Sequence, residues 1–293
     1  MSHNVLITGS SSGFGLLTAR TLLEKGHTVF ATMRGPDGKN AAAAADIRAY
    51  ADGQPGTVHI LDLDVTSEAS VNAAVQQALD LEGWIDVVVN NAGFGSGGYA
   101  ETFTMDQFER IFDVNVFGVQ RVNRAVLPSM RARSSGLIIY VSSVMGRIVL
   151  PFAASYTATK YALEGLAETY RYELGSLGID SVVVEPGGFG TNFLENVAFA
   201  GDAERIASYG DLAEVPQQFW GGFDQMLSSD DAPDPQRVAD AVLDLIETPH
   251  GQRPLRTVVD PMTGGEGPTG INQMTDQVQA QMFSAMGMSE MVA

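Results

Sequence analysis

The chain is 293 residues long and carries 35 acidic against 17 basic side chains, a net charge of −18. That balance excludes nucleic acid and anionic membrane surfaces as partners, because both demand basic surface. Apolar residues make up 45% and charged residues 18%, as in a globular chain with a sizeable core, and the absence of cysteine excludes a disulfide framework and thiolate chemistry.

Val5-Leu6-Ile7-Thr8 is a short apolar run of the kind a fully buried parallel strand shows. It begins almost at the first residue, without a basic region and long apolar run, so no signal peptide is expected and the cytoplasm is the simplest location. Gly9-Ser10-Ser11-Ser12-Gly13-Phe14-Gly15 follows, then a helical pattern through Leu16, Leu17, Ala19, Leu22 and Leu23. Strand, glycine turn and helix is the context in which backbone N–H groups and a helix N-terminus hold a pyrophosphate. A second buried strand, Thr28 to Met33, ends at Arg34, with no carboxylate where a dinucleotide fold grips the adenosine ribose. Arg34 suits a 2′-phosphate instead, whereas Asp37 belongs to the turn Gly35-Pro36-Asp37-Gly38. An alanine-rich helix over about 40–51 leads to a third strand, Val58 to Leu63, closed by Asp64-Val65-Thr66 with Thr66 as the expected N-cap of the next helix.

Asp86-Val87-Val88-Val89-Asn90 is the fourth strand and runs into Asn91-Ala92-Gly93, where open α/β sheets place ligands. The pattern predicts a helix from about Thr104 to Met130 whose apolar residues spread around its circumference, with Asn115 in their midst. A polar amide there needs partners: it either ties down a distorted turn or orders water beside a reaction centre.

Ser143 follows the strand-like run Leu137–Val141, and Tyr156 and Lys160 stand four residues apart, hence on one face of a helix. A nearby ammonium favours the phenolate, which would make Tyr156 a usable proton donor and acceptor. Hydroxyl, phenol and ammonium together suit chemistry at a carbonyl or alcohol carbon. The sixth strand, Val182 to Glu185, is broken by Pro186-Gly187, with Phe189 and Thr191 beyond. Residues 192–235 lose the alternation and hold Phe193, Phe199, Tyr209, Phe219, Trp220 and Phe223, which reads as an aromatic-lined lid or as a packed surface subdomain. A helix at about 235–247 and the strand Arg256–Val259 restore the pattern. In a C-terminal extension, 265–293, Ile271, Met274, Val278, Met282 and Met286 form one helical stripe, of a kind more often core packing than a ligand box, and one that could also serve assembly or the site. The histidines His3, His27, His59 and His250 are scattered, and no metal site is expected.

From Val5 to about Thr191 these residues resemble the short-chain dehydrogenase/reductase family, in its main single-domain subgroup. Thr8 to Gly15 is similar to T-G-x-x-x-G-x-G, Asn90 to Gly93 to N-N-A-G, and Asn115 stands where the family has its helix asparagine. Ser143 lies thirteen residues before Tyr156, Tyr156 to Lys160 matches Y-x-x-x-K, and Pro186, Gly187 and Thr191 match P-G-x-x-x-T. The resemblance implies one α/β domain over 1–293, a doubly wound, Rossmann-like seven-stranded parallel sheet with helices on both faces. It implies that Tyr156 transfers the proton, Lys160 charges the site and binds the nicotinamide ribose, Ser143 positions the substrate oxygen and Asn115 anchors a water. The expected cofactor contacts are Gly9, Ser11, Ser12, Gly13, Phe14, Gly15, Arg34, Asp64, Val65, Asn91, Ala92, Gly93, Tyr156, Lys160, Pro186, Gly187, Phe189 and Thr191. Arg34 favours NADP(H) over NAD(H), although Ser12 stands where many NADP-preferring relatives carry Lys or Arg.

The expected activity is hydride transfer between NADP(H) and a ketone, aldehyde or secondary alcohol, the substrate being bulky and apolar under a lid at 192–235. The rival reading is a catalytically silent NADP-binding sensor or scaffold; intact Asn115, Ser143, Tyr156 and Lys160 argue against it. The helices at 104–130 and 156–177 are too apolar to pack only on the sheet, so a homodimer or homotetramer is expected.

Overall fold

The buried apolar runs form the strands of one sheet in the computed structural model, which describes residues 2–292. In chain order the first half comprises β1 (Asn4–Thr8), α1 (Gly13–Glu24), β2 (Thr28–Met33), α2 (Ala41–Ala51), β3 (Thr57–Asp62), α3 (Glu68–Glu82) and β4 (Val87–Asn90). A two-residue strand β5 (Ser96–Gly97), α4 (Met105–Phe112), α5 (Val119–Arg133), β6 (Gly136–Val141), α6 (Ala154–Leu174) and β7 (Ile179–Pro186) follow. The chain ends with β8 (Ala198–Phe199), α7 (Ala203–Ser208), α8 (Val215–Leu227), α9 (Gln236–Glu247), β9 (Arg256–Val259) and α10 (Glu266–Ala285).

Seven strands pair in the order β3-β2-β1-β4-β6-β7-β9, all parallel. Side chains alternate across each strand, so Val5 and Ile7 enter the core beneath α1, α2 and α9 while Leu6 enters the core beneath α3, α5 and α6. The doubly wound seven-stranded sheet is therefore as expected. The order in which strands are added reverses between β1 and β4, which opens a crevice at their C-terminal ends, the place where such sheets take ligands.

Local chemistry moves several boundaries. Ser67, not Thr66, caps α3 by accepting from the Ser70 amide at 3.2 Å, because Thr66 is already tied to Asp64 Oδ1 through its own amide and hydroxyl. The helix expected over 104–130 is interrupted: residues Asp113–Gly118 form a π-helical segment between α4 and α5, with Asn115 inside it. The C-terminal stripe does not pack in the core. Met274, Val278, Met282 and Met286 are between 48% and 61% exposed, and α10 instead packs through Pro268, Asn272 and Phe283. Its amphipathic pattern faces outward because the core beneath it is occupied by a polar cluster rather than by apolar side chains.

Residues 192–235 form β8, α7 and α8 rather than an irregular loop. β8 pairs with β5, Ser96 opposite Ala198, which hooks this segment to the loop after β4. Pro216 at the start of α8 fits a first turn whose N–H groups lack intrahelical partners, and Trp220 is the most buried aromatic of the segment. No described helix is long and apolar enough to cross a membrane.

Candidate active site

The crevice is built around the glycine turn after β1. Gly9 has φ +72°, which a β-carbon would strain, and a Cβ on Gly15 would lie 2.4 Å from the Gly9 carbonyl and 2.5 Å from Asn91 Nδ2. The first helical turn of α1 thus presses on the turn with its amides uncovered. Asn91 donates from Nδ2 to the Thr8 and Gly9 carbonyls at 2.8 and 3.1 Å, and Thr8 Oγ1 accepts from the amides of Asn91 and Ala92, both at 3.0 Å. Asn90 and Asn91 do different work, because their side chains leave opposite faces of β4 and only Asn91 reaches the crevice. Asn90 donates to Asn123, which donates to the Tyr140 hydroxyl, a buried polar thread between sheet and α5. Thr191 lies across the mouth, 3.8 Å from where a Gly13 Cβ would stand.

Ser143 sits just beyond β6 as the cap of a short 3-10 turn; its Oγ accepts from the Met145 amide at 3.1 Å and donates to the Pro186 carbonyl at 3.4 Å. That bond joins the end of β6 to Pro186-Gly187 at the end of β7. Tyr156 and Lys160 occupy one buried face of α6, each 7% exposed. Lys160 Nζ donates to the Val141 carbonyl at 2.8 Å and lies 5.5 Å from the centre of the Tyr156 ring. The fold thus brings Ser143, Tyr156 and Lys160 together. Tyr156 is fixed in height along α6 by Ser96, whose Oγ accepts the Tyr156 amide at 3.0 Å and a hydroxyl bond from Ser155 at 2.7 Å. Phe193 closes over the phenol, ring centres 5.5 Å apart.

Asn115 clamps the loop after β4: Oδ1 accepts from the Phe94 amide at 3.1 Å, and Nδ2 donates to the Phe94 carbonyl at 3.0 Å and to Thr159 Oγ1 at 3.1 Å. Of its two readings, the tied-down distorted turn is present as the π-helical segment, with Asn115 linking it to the helix that carries Tyr156.

Burial governs the titration of the pair. It pushes Tyr156 up to about 12, with the Ser143 hydroxyl pulling the other way, and pushes Lys160 down to about 8, opposed by the charge of Glu164. Desolvation of the phenol, rather than attraction to the ammonium, is the larger influence on Tyr156. At neutral pH the phenol carries its proton.

At the adenosine end, Arg34 is exposed beyond β2 and is held by its carbonyl, which accepts from Asn40 Nδ2 at 2.6 Å. Burial raises the Asp64 carboxyl, but the Thr66 hydrogen bonds and the charges of Arg34 and Lys39 outweigh it and hold the group below its usual range. Two cations therefore share this corner, and the sequence reading named only Arg34. Val65 packs on the π-helical segment, where a Gly118 Cβ would meet it at 2.8 Å. Phe14 and Phe189 meet edge to face at 5.6 Å, Phe189 being 4% exposed, so their rings serve packing and leave only their backbones toward the crevice. Ser11 and Ser12 lie on the rim. Thr8, Ser96, Thr159, Phe193 and Glu164 went unnamed as site residues; Glu164 alone carried a signal, one turn beyond Lys160 in the same helix.

The family description "short chain dehydrogenase" matches residues 3–200. A 3-ketodihydrosphingosine reductase of Bacteroides thetaiotaomicron is 40% identical over 192 residues, 66% of either chain. A crystal structure of a short-chain dehydrogenase from Streptomyces avermitilis superposes with TM-score 0.74 at 31% identity, over 99% of this chain and 98% of that one. A 3-ketoacyl-(acyl-carrier-protein) reductase from Brucella melitensis, solved with NADH, gives 0.72 at 26% identity, over 90% and 98%. The chain belongs to the short-chain dehydrogenase family. It is an oxidoreductase of that family.

Proposed function

We propose that this protein is an NADP(H)-dependent reductase of bulky, apolar ketones or aldehydes, running in reverse on secondary alcohols, with Tyr156 as general acid and base. One observation carries the reading: Tyr156 and Lys160 share one buried face of α6, with Ser143 facing them from the end of β6. The residues fit a dinucleotide. The uncovered amides of the turn Gly9–Gly15 and of α1 suit its pyrophosphate, and Asn91, Ala92 and Gly93 line the crevice between β1 and β4. Pro186, Gly187 and Thr191 stand on the opposite wall at the nicotinamide end. The cofactor supplies or takes up the hydride when bound.

Ser143 Oγ orients the substrate oxygen and Tyr156 hands it a proton, with Lys160 holding positive charge beside the phenol. In oxidation Tyr156 takes that proton back. Substrate faces the aromatic cluster of Phe94, Phe152, Phe193, Phe219, Trp220 and Phe223, with residues 192–235 acting as its lid. Phe152 is held at φ +63° while its carbonyl accepts from the Gly98 amide and Trp220 Nε1, both at 3.0 Å. A bulky residue in that region is strained and stays there because the surroundings fix it, so the floor of the cluster is set. The sphingoid ketone named for the Bacteroides reductase is a substrate of the same kind.

Loss of NADPH absorbance with a panel of apolar ketones and aldehydes tests the proposal; no turnover of any of them overturns it. The sign of the pH dependence follows from Lys160, which is charged below about pH 8. Reductive kcat/KM therefore holds up to about that pH and falls above it, and a profile that rises through pH 9 would count against the role of Lys160.

The protein works as a homodimer or homotetramer. Phe117, beside α5, and Tyr161, on α6, are 52% and 43% exposed on helices whose other faces already cover the sheet. Light scattering at micromolar concentration should give at least twice 31.1 kDa, and Phe117→Glu should shift it toward the monomer.

A further inference from the structure

Nine buried side-chain polar atoms lack a hydrogen-bond partner among the described residues, and five of them gather beneath α6, beside the turn that follows β6. They are Ser142 Oγ, Arg147 Nε, Glu164 Oε1, Glu185 Oε1 and Asn272 Oδ1, and they lie under the same buried face of α6 as Lys160, beginning one turn further along the helix. At their centre lies Arg256, its side chain 3% exposed. Arg256 Nε stands 3.0 Å from Glu164 Oε2 and 3.6 Å from Glu185 Oε1, and Nη2 lies 2.5 Å from Glu168 Oε2. Asp276 meets Arg256 Nη1 at 3.5 Å on the solvent rim. From α10, Asn272 Nδ2 donates to Glu185 Oε2 at 2.7 Å, and Thr275 Oγ1 accepts from Arg147 Nη2 at 2.7 Å.

The cluster touches the catalytic turn at two points. Glu164 is one helical turn beyond Lys160 on the same buried face of α6. A Cβ on Gly146, in the turn capped by Ser143, would lie 2.9 Å from both Glu164 Cγ and Ser142 Oγ, so glycine there lets that turn close onto the carboxylate. Well-packed apolar side chains of the same volume would hold the fold as well as such an ion cluster. What they would not do is set the charge of a neighbouring buried group.

We propose that Glu164 is a positioning residue for the reaction: gripped by Arg256 and backed by Glu185 and the Asn272 amide of α10, it keeps Lys160 an ammonium despite burial. The inference rests on the proposed role of Lys160 in charging the proton-donor site. The titration is consistent with it. Burial lowers Lys160 and Glu164 is the charge that opposes it, while Glu185 is pushed up to about 7 by burial and then by Glu164, against Asn272, Arg256 and Arg147. Residues 256–276 lie beyond the matched stretch 3–200, so chain outside the family match meets Glu164, one turn from Lys160, through this cluster.

The chain has three lysines, Lys25, Lys39 and Lys160, so a protein labelled with carbon-13 at the lysine Cε positions gives three signals, and Lys160→Arg identifies the one of interest. In the wild type that signal should titrate near pH 8. Glu164→Gln should lower the titration by roughly one pH unit or more, and Glu164→Asp should restore it. A Lys160 titration unchanged in a folded Glu164→Gln protein overturns the proposal. Should that variant fail to fold, a wild-type Lys160 that is already uncharged at pH 7 with Glu164 in place does so instead. The titration needs no substrate, so a protein that reduces no carbonyl would sink the proposed function and leave this test standing.

Discussion

Tyr156→Phe should lower turnover by at least ~10²-fold, the low end for loss of general acid catalysis, while the protein folds and binds cofactor much as before. The substitution removes one oxygen. The ring keeps its edge-on contact with Phe193 at 5.5 Å and its burial among Ile111, Val144, Met145 and Trp220, so thermal unfolding should move little. What is lost is the proton that burial holds on the phenol up to about pH 12. Ser143 cannot replace it, because an aliphatic hydroxyl is a far weaker acid than a phenol and can orient the substrate oxygen but not hand it a proton. Lys160→Ala should do more damage of a different kind: the Val141 carbonyl loses its donor and Glu164 its nearest opposite charge on α6, so cofactor affinity should fall along with turnover. Near-normal activity in Tyr156→Phe would mean that the proton comes from elsewhere and that the proposed mechanism is wrong.

The parts of this protein legible in the sequence are those in which a short stretch decides its own structure. Val5–Thr8 and Val87–Asn90 are apolar on both faces and could only be interior strands, and the glycine turn lies between a strand and a helix, where its spacing has meaning. Tyr156 and Lys160 are four residues apart, so a helix suffices to unite them. The rest depends on partners far along the chain. A polar amide among apolar side chains signals that Asn115 needs partners, but nothing local says that they are Phe94 and Thr159 or that the distortion is a π turn. Ser96 looks like a loop serine until β5 pairs with β8 and sets it under the Tyr156 amide. The methionine stripe of α10 leaves its role open in the sequence because amphipathicity says that a helix has two faces, not which one meets the protein. Here Asn272 turns inward to Glu185, since a buried carboxylate needs a donor more than the neighbouring side chains need cover.

Arg34→Ala should cost NADPH roughly 10- to 100-fold in kcat/KM, the worth of about 1.5–3 kcal/mol for hydrogen bonds to a charged group, and leave NADH nearly untouched. The reasoning begins at the end of β2, where Met33 is buried and the next side chain is an exposed guanidinium instead of a carboxylate. A carboxylate would accept from the 2′-hydroxyl of NAD and repel a phosphate; a guanidinium does the reverse, and its planar fork matches phosphate oxygens. Asp62 does not take over the carboxylate's part, because its Oδ1 is held by the Gly35 amide at 2.9 Å. Lys39, whose charge reaches Asp64 together with that of Arg34, shares the corner. A single substitution should therefore leave part of the preference standing, and Arg34→Ala with Lys39→Ala should remove the remainder. Salt offers a further check: the NADPH advantage should shrink between 0.05 and 0.5 M NaCl, about a threefold change in screening length, while NADH turnover holds steady. A wild-type enzyme that already prefers NADH would overturn the assignment, and Ser12, exposed at the head of α1 where a basic residue would otherwise reach the phosphate, would then be the residue that decides the cofactor.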